Sequence, residues 1–106
     1  MFARVATFEG VDIAAAKKSA EQAHKLLLPV FETMPGWMGI MELADATSGK
    51  VFSVTIFNSA ANAAAADDVF DKEMPSVLGD LMKSRAGKRV SVDQCEVIFQ
   101  LPRPPA

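Results

Sequence analysis

His24 is the single histidine of the chain, and so the one side chain whose unperturbed pKa puts a proton transfer near neutrality, which makes it the candidate general base. Asn58 offers an amide able to donate to a developing oxyanion, yet it stands directly before Ser59 and an alanine run, where Asn also serves as a helix cap. Ser53 and Thr55 are alternate residues of one run, so their small hydroxyls share one face of a strand and leave both volume and hydrogen-bonding capacity there. Trp37 and Phe57 supply aromatic walls, and the indole N–H of Trp37 calls for a partner whether it lines a substrate or anchors the strand. These types suit a hydrophobic small molecule held by few polar groups. The candidate catalytic residues are therefore His24 and Asn58, and the candidate substrate-binding residues are Trp37, Ser53, Thr55 and Phe57. A helical wheel sets His24 beside Ala20, Leu27, Leu28 and Phe31 with no carboxylate in local register, which weighs towards a boundary role.

The elements that must position these residues centre on Gly36–Asn58. Val51 to Phe57 is β-branched or aromatic at every position but Ser53, which predicts a strand. Trp37 to Leu43 precedes it, and Asp45 to Gly49 supplies turn chemistry for an antiparallel hairpin. Phe52, Val54 and Ile56 share a wholly apolar face, and Val51, Ser53, Thr55 and Phe57 a milder one. A sheet with neither face solvated needs two covers, and a chain of 106 residues is too short to supply both, which implies a partner subunit. Phe2 to Phe8 predicts a first strand interrupted by Arg4 and Thr7. Asp12 caps a helix with Ile13, Ala16, Ala20, Ala23, Leu27, Val30 or Phe31, and Met34 on its apolar stripe. Pro29 predicts a kink or restart in that helix. Asn58 or Ser59 caps an alanine-rich helix from Ala60 to about Glu73, with Ala63, Ala66, Phe70 and Met74 inward; a shorter helix follows from Pro75 to about Met82. Gln94 to Leu101 reads as the last strand. The expected fold class is α+β, a ferredoxin-like βαββαβ unit with a four-stranded antiparallel sheet and helices on one face, over residues 1–101 as one domain. Residues 102–106 form a proline-rich tail that cannot extend a ladder.

Half of the residues are hydrophobic and the formal net charge is −2, which fits one ordinary domain and argues against a nucleic-acid partner. No apolar run reaches the roughly 20 residues of a membrane span, and the first residues lack a signal-peptide pattern, so the expected location is the cytoplasm and no membrane partner is expected. Cys95, alone, reads as a small core residue. Lys83, Arg85, Lys88 and Arg89 read as a solvated basic loop, with a gate for an anionic ligand as the alternative. Asp67, Asp68 and Asp71 cluster without a histidine or cysteine, so no metal is expected. Met34, Met38, Met41, Met74 and Met82 read as core filling.

The run Met34-Pro35-Gly36-Trp37-Met38-Gly39, the turn Thr47-Ser48-Gly49-Lys50, then Val51 to Ser59 and the alanine-rich helix resemble the antibiotic-biosynthesis-monooxygenase-like members of the dimeric α/β-barrel superfamily. The resemblance spans nearly the whole chain. It implies a homodimer of face-to-face sheets, with one small-molecule pocket per subunit between helices and sheet. It also implies one of several activities, from cofactor-free oxygenation of aromatic polyketides and quinols to haem degradation. In the haem-degrading branch the second hairpin strand ends in tryptophan, where this chain has Phe57; a first-strand asparagine corresponds to Ala6; and the iron-ligating histidine of the second helix has no counterpart between Ala60 and Met82. The expectation is thus a cofactor-independent monooxygenase of a hydrophobic aromatic or quinol-like molecule, with no cofactor. The alternative is a non-catalytic small-molecule-binding or structural dimer, favoured by the lack of a tight acid–base constellation.

Overall fold

The run from Val51 to Phe57 forms the strand its composition demands, and three further strands assemble around it. The computed structural model describes residues 1–102, the side chains of Met82, Ser84 and Ala86 excepted. In chain order the elements are β1 (Phe2–Val11), α1 (Ile13–Glu32), β2 (Trp37–Asp45), β3 (Lys50–Phe57), α2 (Ala60–Lys72), α3 (Met74–Leu78), α4 (Asp80–Arg85) and β4 (Ala86–Glu96). The sheet runs β2-β3-β1-β4 with every neighbouring pair antiparallel. This is the expected ferredoxin-like α+β arrangement, with the helices gathered on one face.

The helix-side face of the sheet carries Phe2, Arg4, Ala6 and Phe8 of β1 opposite Phe57, Thr55, Ser53 and Val51 of β3. The core beneath the helices joins Phe31, Met34, Phe57, Ala63, Ala66 and Met74. Alanines at 63 and 66 let α2 sit close to the sheet, and Phe57, wholly buried, fills the space below. The other face exposes Met41 and Leu43 of β2 and only half covers Phe52, Val54 and Ile56.

Two bulges alter the simple alternation. Between β2 and β3 the register slips so that Trp37 opposes Phe57 while Gly39 opposes Ile56. Met38 is the extra residue, and Trp37 turns onto the helix side, where its ring stacks on Phe31 with centroids 5.1 Å apart. Between β1 and β4, Thr7 opposes Ser91 but Phe8 opposes Arg89. Val90 is extra here, and Arg89 lands on the helix face, whereas strict alternation from Ser91 would set it on the open face. Bulges commonly re-aim a side chain in this way.

Local signals behave largely as read. Asp12 caps α1 through a bond accepted from the Ala15 amide, and Ser59, rather than Asn58, caps α2 by accepting from the Asn62 amide; such a cap contributes about 1 kcal/mol. Several expectations are corrected. Helix α1 runs unbroken through Pro29: the proline is exposed, so the Lys25 carbonyl it leaves unpaired can meet water. The third helix is two short ones, because Gly79 takes a positive φ of 50° between them.

The last strand begins at Ala86 and stops at Glu96, well short of Leu101, because its partner β1 starts at Phe2 and leaves nothing to pair with. Val97 makes one more bond, its amide to the Met1 carbonyl at 3.0 Å. Ile98, Phe99 and Leu101 then stand exposed. Cys95 faces outward on this edge strand and is exposed, not core. Of the methionines, Met34 and Met74 are buried but Met38 and Met41 are exposed. The tail from Arg103 onward lies outside the described residues.

Candidate functional site

A cavity of about 390 Å³ lies between the helices and the sheet, within the usual range of ligand pockets. Its origin is in the pairing of small residues: Ala6 of β1 sits opposite Ser53 of β3, and both line the cavity together with Ala16 of α1. Large side chains stand around them, including Phe8, Phe31, Phe70 and Met74. Small residues at the centre and large ones at the margin leave a void that none of the helices can fill.

Three arginines, Arg4, Arg85 and Arg89, enter this largely apolar space together with Ser53 and the carboxylates of Glu42 and Asp71. Arg4 rises from β1 and is 3% exposed. Its Nε donates to Asp67 Oδ1 of α2 at 2.6 Å, and its Cζ lies 4.1 Å from the centroid of the Phe70 ring. Arg89, aimed inward by the β4 bulge, donates from Nη1 to Asp71 Oδ1 at 2.8 Å. That bond holds the Asp71 carboxyl below its ordinary pKa. A lowered carboxylate pKa stabilises the fold above the unfolded-state value and loses that contribution as pH falls through the folded value, so the pair persists across the neutral range. Arg85, at the end of α4, donates from Nε to Ser19 Oγ at 3.0 Å and from Nη1 to Glu42 at 3.4 Å, tying α1 to β2 beside the cavity. The basic segment read as a solvated loop is thus a helix end running directly into a strand, and two of its cations line the cavity.

A second hollow, about 210 Å³, adjoins the first and shares Leu27, Phe31, Ile40 and Glu42 with it. His24 and Trp37 line this one, between α1 and β2. Among the described residues, no group of three or more His, Cys, Asp or Glu side chains is placed to hold a metal ion.

The same architecture occurs in solved structures. A dimeric ferredoxin-like protein from an uncultured marine organism superposes with a TM-score of 0.68 at 12% identity, over 96% of this chain and 98% of that one. A monooxygenase of Streptomyces coelicolor, in complex with nanaomycin D, gives 0.61 at 21% identity, over 96% of this chain and 92% of that one. The haem degrader MhuD of Mycobacterium tuberculosis, with two haems bound in its active site, gives 0.61 at 20% identity, over 95% and 99%. The chain shares the ferredoxin-like fold of these structures. No family model and no curated protein matches it.

Within this ferredoxin-like fold, the candidates named from sequence do not converge. Ser53 lines the main cavity, alone of the six. His24 and Trp37 stand in the second hollow. Thr55 is 1% exposed and Phe57 0%; they are core, and neither lines either of these two hollows. Asn58 points away, its Oδ1 accepting from Asn62 Nδ2 at 2.8 Å while its amide donates to the Gly36 carbonyl. Gly36 has φ +71° and a Cβ there would collide with the Asn58 side chain, so this junction of α1 and β2 requires glycine. The Trp37 Nε1 and Thr55 Oγ1 atoms are buried without a hydrogen-bond partner among the described residues.

Arg4 is not among the sequence candidates; Arg89 enters them only in the alternative reading of the basic segment as a gate for an anionic ligand, and Phe70 only as an inward residue of the second helix. A signal for Arg4 was present: a charge in mid-strand among apolar residues, in phase with Ala6 and Phe8, must be buried and therefore partnered.

Proposed function

We propose that this protein is a homodimeric, cofactor-independent monooxygenase acting on a hydrophobic aromatic or quinol-like molecule held between helices and sheet. The observation that carries the reading is the apolar cavity of about 390 Å³ with the buried guanidinium of Arg4 at its wall. A positive charge in a low-dielectric site favours the ionised form of a phenol. The carboxylates lining the cavity, Asp71 and Glu42, are each engaged by an arginine, and no histidine lines it. The buried guanidinium of Arg4, whose Nη edge has no acceptor among the described residues, takes the place of a strong base by favouring the substrate's anion. Negative charge delocalised onto a ring carbon then reduces molecular oxygen. For a ring CH2 converted to a carbonyl, one oxygen atom enters the new C=O and the other leaves as water with the two hydrogens, which balances the four electrons. The fold shared with a monooxygenase supports this chemistry.

Oxygen uptake measured with a series of anthrones and naphthohydroquinones, without added metal or flavin, is expected to exceed the rate in buffer for at least one of them, with the matching quinone spectrum. Uptake at the buffer rate throughout would leave the non-catalytic binding reading, which the engagement of both cavity carboxylates favours.

The dimer is proposed on the open face, where Met41, Leu43 and the half-covered Phe52, Val54 and Ile56 form one apolar surface, with exposed Ile98, Phe99 and Leu101 beyond the last strand. Monomeric proteins seldom leave so continuous a patch uncovered. A dimeric protein of the same fold supports the arrangement. Sedimentation velocity at micromolar concentration is expected to show a single species of about twice the 11.4 kDa chain mass; a stable lone subunit would remove the barrel arrangement.

A further inference from the structure

Arg4 has donors left over. It is 3% exposed, yet among the described residues its side chain makes one hydrogen bond, through Nε to Asp67 Oδ1 at 2.6 Å. That same carboxylate oxygen also accepts from Gln94 Nε2 at 3.3 Å, so Asp67 is shared. The ring of Phe70 covers one face of the guanidinium. The Nη edge, which carries most of the donors of the fork, has no acceptor among the described residues, and Arg4 lines the cavity. Neither Nη atom is among the fully buried atoms that lack a partner, so this edge keeps access to the cavity, where water or a ligand can accept from it.

The other two cavity cations are committed. Arg89 is held by Asp71 at 2.8 Å, and Arg85 by Ser19 and Glu42. Arg4 is paired as well, with Asp67, but it is the most buried of the three, and its open Nη edge presents two parallel N–H groups to the cavity. Carboxylate geometry matches that edge in bidentate fashion, which a single phenolic oxygen or an amide does not. The rest of the cavity wall is mainly aliphatic and aromatic, with the Phe70 ring lying against the guanidinium itself.

We propose that the cavity selects aromatic carboxylates, the carboxylate pairing with the Nη edge of Arg4 while the ring system fills the apolar space beside Phe70. This rests on the cavity being the ligand site of the proposed function and names the class of molecule it takes. Asp67 then fixes the guanidinium from behind and the ligand completes it from the front.

Isothermal titration calorimetry at neutral pH with 2-naphthoate and its uncharged isostere 2-naphthamide tests the assignment. Wild-type protein is expected to bind 2-naphthoate at least about tenfold more tightly than the amide, a difference of about 1.4 kcal/mol. The Arg4→Lys variant keeps the charge and loses the fork, so its preference is expected to collapse towards unity. If Arg4→Lys fails to fold, the Arg4 Nε–Hε resonance of the wild type provides the readout: it is expected to move with 2-naphthoate and to stay in place with the amide. Equal affinities, a preference that survives in Arg4→Lys, or an unmoved Arg4 resonance overturns the proposal. Where neutral quinols still drive oxygen uptake, only the carboxylate assignment falls. Absence of binding by both probes together with absence of oxygen uptake removes the functional reading as well.

Discussion

Phe57→Ala is expected to destabilise the protein by about 3–5 kcal/mol, the cost of emptying a fully buried aromatic site. Phe57 is 0% exposed and packs in one cluster with Phe31, Met34, Ala63, Ala66 and Met74. Its neighbours cannot collapse easily into the space, because two of them are alanines on a helix already close to the sheet. Against a total stability of about 5–15 kcal/mol, the loss is large, and equilibrium urea unfolding is expected to show a midpoint lowered accordingly with an unchanged slope. Phe57→Leu should recover much of it. A loss under about 1 kcal/mol would mean that this position is not the centre of the core. The sequence also offers this residue as a substrate wall, so ligand affinity per folded molecule separates the roles: as a core residue, Phe57 should leave it little changed in the leucine variant.

Asp67→Ala is expected to cost about 3 kcal/mol, the lower end of the range for orphaning a buried charge. The carboxylate is 46% exposed while Arg4 is 3% exposed, so the damage falls on the arginine, left buried over Phe70 without its anion. The cavity lets some water reach the Nη edge, which keeps the figure from the top of the range. Asp71→Ala is the matched control one helical turn on. Its partner Arg89 is 39% exposed and can turn to solvent, so the unfolding midpoint should hardly move at neutral pH. Equal effects of the two substitutions would show that Arg4 is not the strained cation of the site. Both variants are read by the same urea titration, and the Asp67 effect should persist in salt that screens surface pairs.

Sequence reading succeeded where one element sufficed to decide. The Val51–Phe57 alternation, the Asp12 cap and the inward stripe Ala63, Ala66, Phe70 and Met74 depend on neighbours within a few positions, and the structure has them all. Reading failed at the ends of elements and at bulges. Gln94 to Leu101 alternates convincingly, but a strand needs a partner, and β1 ends at Phe2. The basic residues before it looked solvated because nothing local marks Val90 as an extra residue.

What the chain by itself determined is the kind of layers it forms: four pleated strands with apolar character on both faces, and helices carrying one greasy stripe each. These follow from side-chain periodicity, which is a short-range property. The tertiary structure alone decided which residues meet. It opened a void by pairing Ala6 with Ser53, turned Arg89 and Trp37 to the helix side through one-residue slips in register, and set Arg4 beneath Phe70 with one anion and an open edge. A cavity is the volume left between two layers and belongs to neither, so no periodicity within a single element can announce it.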